Sequence, residues 1–238
     1  MVFKSTLRAG LKKDLQHAMT DVELATPSKT RLILTAERLF AERGIEGVSL
    51  REVASVAGQA NNAAVHYHFK SRQGLVGAIF AYRVAQMDLI RSKMLRRLVT
   101  AGQERDLRAL LSVLLLPHVG LVDERGTHPH ARFLSQYVTH YRPAGMPHVG
   151  ADLSTAESLM KTTDLIYDCL EFLPRELARK RLELITLLFL SMLNRHDAAM
   201  IAERPQPPLQ EQIDDTIEMA LAALPAPQPA KSSHTAER

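Results

Sequence analysis

Asn61 and Asn62 stand side by side, followed by Ala63, His66 and Tyr67. An asparagine amide carries a donor and an acceptor that match N6 and N7 on the major-groove edge of adenine, at about 1–3 kcal/mol of discrimination. Asn62 is the best placed of the two, since Asn61 reads equally well as a helix cap. Ala63 can touch a thymine methyl, and His66 lies beside them. On either side in the sequence are Thr30, Arg31, Ser49, Arg51, Lys70, Ser71 and Arg72, hydroxyls and cations of the kind that anchor phosphates. Any one of them reads equally as a solvated side chain; their clustering favours DNA.

These residues work only if a helix carries them into a groove, and the local sequence supplies one. Ser49 is a good N-cap, and Glu52 three residues later can close a capping box with it. Leu50, Val53, Ala54 and Ala57 then form one apolar stripe on a helix of about two turns. Gly58 ends that helix, because glycine takes the left-handed backbone cheaply. A second short helix runs from Asn61 through Tyr67, with Phe69 the last large apolar group before Lys70-Ser71-Arg72. Two short helices around a glycine turn form a helix-turn-helix, whose second helix enters the major groove. Ser28 to Arg43 is predicted as a bracing helix with Leu32, Ile33, Ala36, Leu39 and Phe40 on its core face, stopped by Gly44. Ser71 caps a long helix, Arg72 to Val99, with Gly74 and Gly77 inside it, read as either a close packing contact or a soft joint.

Thr30 to Arg72 resembles the DNA-binding domain of the TetR family of bacterial repressors. The resemblance is carried by Thr30-Arg31, Leu32-Ile33, Ala36, Leu39-Phe40, Gly44, Val48-Ser49, Arg51-Glu52, Val53-Ala54, Ala57-Gly58, Val65, Tyr67-His68-Phe69 and Ser71-Arg72. One residue more than the commonest family spacing separates Gly58 from Phe69. His66 sits where many members place tyrosine, and Arg72 where many place lysine. The resemblance implies an all-α chain of about nine helices: a three-helix DNA-binding head and a larger helical body that binds an effector and dimerises. It also implies a phosphate contact at Tyr67, whose ordinary reading is a core tyrosine. A mainly apolar effector cavity is implied too, with Met87, Met94, Leu114, His118, Phe133, Tyr137, Met160, Asp164, Tyr167 and Met192 as candidate lining; each reads separately as ordinary core. Few charges interrupt these faces, which favours a hydrophobic or amphipathic small molecule. The last two helices, Arg175 to Ile201 and Leu209 to Leu224, are the implied homodimer surface, through Leu184, Leu187, Leu188, Met192, Ile213 and Ile217. The apolar run from Leu184 to Leu193 is wider than one core-facing stripe requires, and a second buried face explains it.

The rest of the chain bounds this reading. Of 238 residues, 46% are hydrophobic and 24% charged, so the chain is globular. Net charge is only +4, but Ser28 to Arg72 holds seven Lys/Arg against four Glu, so most of the excess lies on the suspected DNA-binding part. The single Cys169 excludes an intrachain disulfide and suits a reducing cytoplasm. No apolar run approaches 18 residues, so no membrane partner is expected, and the N-terminus has no secretory pattern. His118, His128, His130, His140 and His148 lack the paired spacing of a zinc site, and the rings of His128 and His130 should diverge at a helix start; no metal or cofactor is expected. Without a phosphate loop or a nucleophile–base arrangement, no enzyme is expected either. The expected division is an arm over 1–27 (Leu7, Leu11 and Leu15 among Lys4, Arg8, Lys12 and Lys13), a head over 28–72, a body over 73–224 and a disordered Pro/Ala/Ser-rich tail over 225–238. The competing reading is an all-helical small-molecule-binding protein or enzyme without specific DNA recognition, encouraged by His66 and the longer turn.

Overall fold

The computed structural model describes residues 27–58, 67–141 and 156–227, and among these the secondary structure is helical with no strand. The head contributes α1 (Pro27–Arg43) and α2 (Leu50–Val56), then a helical turn at Tyr67–Phe69. The body contributes α3 (Arg72–Thr100), α4 (Leu107–Leu115), α5 (Pro129–Gln136), α6 (Glu157–Cys169), α7 (Arg175–Ile201) and α8 (Leu209–Ala223). A 3-10 turn, Leu116–Gly120, follows α4 at Pro117, and a π-helical turn, Tyr137–Tyr141, follows α5.

The helix boundaries follow local chemistry. Ser49 Oγ accepts from Glu52 N at 3.1 Å and Ser71 Oγ from Gly74 N at 3.1 Å, each satisfying a donor that the first turn leaves over. Asp106 caps α4 in the same way, accepting from Ala109 N at 3.1 Å. Gly44 and Gly58 take φ of +80° and +69°, the left-handed conformation that stops α1 and α2. At Gly74 the choice between close packing and a soft joint falls to packing: a Cβ there would collide with the Phe69 carbonyl oxygen, whereas at Gly77 a Cβ meets nothing within 4 Å.

Head and body share one core. Leu32, Ile33 and Phe40 of α1 are buried in the same apolar cluster as Phe133 of α5 and Phe189 of α7. Phe40 stacks on Phe133 with ring centres 6.3 Å apart, and the α1–α5 contact is the most extensive between any two elements described. Helix α7 is long and apolar enough to cross a membrane by length and composition alone. Its Ile185, Phe189, Leu190 and Leu193 are buried against the protein itself. At the other end, Arg181 donates to the carbonyls of Leu224 (2.9 Å) and Ala226, so the first residues of the expected tail are tied down.

Candidate nucleic-acid interface

The polar surface of the head gathers where α2 and α3 begin. Arg72 Nη2 donates to the Val48 carbonyl at 3.1 Å, which brings the residue before Ser49 against the residue after Ser71. The two serine-capped helix starts therefore lie side by side. Arg31, Ser49, Arg51, Tyr67, Lys70 and Ser71 are exposed there or on the adjoining elements, and Thr30 is half-buried. Tyr67 is 82% exposed, which no core tyrosine would be, so the ordinary reading of that residue is set aside. Lys70 has φ of +60°, a left-handed backbone that a side chain with a Cβ adopts only at some cost. Arg72 is half-buried: Nη2 donates to the Val48 carbonyl and Nε is buried without a partner, so it also braces the head. Glu52 sends its carboxylate to Arg43 at 2.5 Å, tying the end of α1 to α2. Asn61, Asn62, Ala63 and His66 lie outside the described residues.

Behind this surface runs a buried polar chain that the sequence reading did not find. Glu37 of α1 is 1% exposed, and Arg83 of α3 clamps it, Nε reaching both carboxylate oxygens at 2.9 and 3.1 Å and Nη2 donating to Oε2. His130 Nδ1 lies 2.8 Å from Glu37 Oε1. Burial alone would raise the carboxyl pKa; the Arg83 charge, the His130 hydrogen bond and the His130 charge overcome it and hold Glu37 at about 2. Arg83 Nη1 continues to Gln86 Oε1 at 2.8 Å. His128, two residues before His130, turns to another carboxylate: its Nδ1 lies 2.8 Å and its backbone N 2.6 Å from Asp197 of α7. The two rings thus go to different partners, as their spacing predicts. The sequence signal for all this was weak, because the partners lie 46, 93 and 69 residues apart.

The candidate effector residues separate into two groups. Met87, Met94, Leu114, His118, Phe133 and Tyr137 are buried in the interior, where Phe80 packs against Phe133 (5.4 Å) and Tyr137 (4.8 Å). Met192 is half-buried against the same core. The other group lies nearer the surface. Met160 is exposed, and Asp164 is an exposed ion-pair partner of Arg175 at 2.8 Å; the Arg175 guanidinium also lies 4.6 Å over the half-buried Tyr167 ring. Met160 and Asp164 thus face outward, while Tyr167 packs in part against the core. Among the dimer candidates, Leu184 is 64% exposed and Leu187 and Leu188 are half-buried, whereas Ile213 and Ile217 are buried within the protomer by α8 packing on α7. Those two are therefore occupied in the protomer's own core. Phe172, Ile201 and Met219 are exposed apolar groups that periodicity did not separate from core.

A head of α1 and the serine-capped α2, tied by Arg72 to the foot of a long helix under a larger helical body, makes an all-α protein among the described residues. Residues 32–79 match the family model of the bacterial regulatory proteins of the tetR family, a span from α1 into α3. No curated protein matches the chain. The chain thus carries the N-terminal domain of the tetR family and is a helix-turn-helix DNA-binding transcriptional regulator.

Proposed function

We propose that the protein is a repressor that binds a near-palindromic operator as a homodimer in the cytoplasm and leaves it when a hydrophobic or amphipathic small molecule binds the body. The head spans 28–72 and the body 73–224. In this reading Asn62 reads adenine with Asn61, Ala63 and His66 beside it, while Thr30, Arg31, Ser49, Arg51, Tyr67, Lys70 and Ser71 meet phosphate. The dimer forms through Leu184, Leu187 and Leu188 with the exposed Ile201 and Met219, placing two recognition helices ~34–36 Å apart on successive major grooves.

The observation that carries the reading is the fastening of α1 into the body. Glu37 is clamped by Arg83 of α3 and bonded to His130 of α5, so α1 follows any displacement of those two helices. A ligand that shifts the body consequently shifts the head. To lower operator occupancy ~100-fold it must favour the shifted state by roughly 2.7 kcal/mol.

Selection from random duplex DNA is expected to enrich a near-palindrome with half-sites about one turn apart. Asn62→Ala should weaken binding to the selected site more than to random DNA, and equal loss on both would remove Asn62 as a base reader. No enrichment at low salt by a folded dimer would favour a helical ligand-binding protein without DNA recognition.

A further inference from the structure

Arg91, on α3, is 1% exposed, and its company is apolar. Nη2 donates to the Leu114 carbonyl at 3.3 Å and lies 3.8 Å from Met87 Sδ. Nε and Nη1 are buried without a hydrogen-bond partner. His118, one turn beyond Leu114, has Nδ1 in the same condition, and its ring stacks on His130 at 6.1 Å with planes 6° apart. The neighbouring acid is Asp88, but its carboxylate is committed to the start of α6, accepting from Ser158 N at 3.3 Å and Leu159 N at 3.0 Å. Burial draws the Arg91 pKa down to about 10, against the pull of Asp88, and the group stays cationic at neutral pH. Burial, then the charges of His130, Arg91 and His128, hold His118 well below its ordinary value. The interior therefore contains a fixed positive charge with two idle donors, beside an imidazole with an idle nitrogen.

A buried guanidinium is costly unless an anion satisfies it. A carboxylate accepts a charge-assisted hydrogen bond from a guanidinium N–H, and its one negative charge balances one guanidinium. Met87 and Met94 lie four residues before and three after Arg91 on the same face of α3, and thioether chains adapt to irregular apolar shapes. We propose that Arg91 and His118 form an anion site inside the helical body. The effector is then an amphipathic monocarboxylate whose carboxylate accepts from Arg91 Nη1 while its apolar part lies among Met87, Met94 and Leu114. The inference rests on the effector-responsive reading above and narrows it to acids. It also gives the signal a route: His118 stacks on His130, and His130 bonds Glu37 of α1.

The test is calorimetric binding to the full chain of octanoate, decanoate, dodecanoate and 4-phenylbutyrate, each paired with its primary alcohol. At least one acid is expected to bind about 30-fold tighter than its alcohol, the worth of one charge-assisted hydrogen bond. Arg91→Met should lose that preference while melting no lower than the parent, because it removes an uncompensated buried charge. Alcohols binding as tightly as acids, no acid binding, or an acid preference surviving in Arg91→Met would overturn the site. Should Arg91→Met fail to fold, Arg91→Lys decides: it keeps the charge but ends short of the Nη1 position, so acid affinity should fall at least tenfold, and unchanged affinity refutes the site. The same panel is run against the selected operator. Acids that bind but leave the operator occupied refute the regulator reading and uphold the site. Operator release by uncharged compounds alone does the reverse.

Discussion

Removing the carboxylate of Glu37 should unfold the protein more readily than any change on the exposed face of α1. Glu37→Ala leaves the Arg83 guanidinium buried without the partner that three of its hydrogen bonds serve, and takes the acceptor from His130. Breaking a buried pair in this way costs about 3–5 kcal/mol. The titration of the group gives a second, independent figure. The folded pKa of about 2 lies below the ordinary 4.5, which corresponds to roughly 3 kcal/mol of stability. Because the folded pKa is depressed, this contribution is complete above pH 4.5 and is lost as pH falls from there through 2. At roughly 2–4 °C per kcal/mol for a chain of this size, Tm at pH 7 should fall by about 10 °C. Circular dichroism melts of the parent, Glu37→Ala and Glu37→Gln from pH 7 to pH 3 make the measurement. Glu42→Ala is the control, since Glu42 and Arg38 form an exposed pair at 3.5 Å worth at most ~1 kcal/mol. The gap between parent and Glu37 variants should narrow below pH 4.5. A Glu37→Ala loss no greater than that of Glu42→Ala, or a gap constant down to pH 3, would refute the reasoning.

The two glycines of α3 should respond oppositely. Gly74→Ala forces backbone movement at Phe69 and should cost about 1–3 kcal/mol, while Gly77→Ala, with nothing in the way, should stabilise by about 0.5–1 kcal/mol, both read from chemical denaturation. Lys70→Gly relieves a left-handed lysine, so its Tm should not fall, yet its affinity for duplex DNA should fall and the salt slope flatten by about 1, measured by fluorescence anisotropy at several salt concentrations. Leu184→Asp should halve the mass measured by light scattering without lowering protomer helicity, whereas Ile213→Asp should unfold the protomer, because Leu184 is exposed and Ile213 is 4% exposed.

The recognisable head owes its legibility to local chemistry. Ser49 and Ser71 cap helices because their hydroxyls reach an amide three residues on, and Gly44 and Gly58 stop them because the required backbone suits glycine. Such interactions close within a turn, so the order of residues alone determined them. The apolar spacing of α1 likewise marked Leu32, Ile33, Ala36, Leu39 and Phe40 as core, and all five are buried. Periodicity, however, tells only that a side chain faces something apolar, not whose. Ile213 and Ile217 read as a partner surface and are the protomer's own core; Leu184 reads the same way and is exposed. The polar interior was beyond the sequence for a stricter reason. Glu37 counts as one more surface charge until α3 and α5 bring Arg83 and His130 against it, and Arg91 is an ordinary helical arginine until α4 closes over it. Whether a charge is solvated, paired or left with idle donors depends on partners 23 to 93 residues away, and only the packed tertiary structure chooses them.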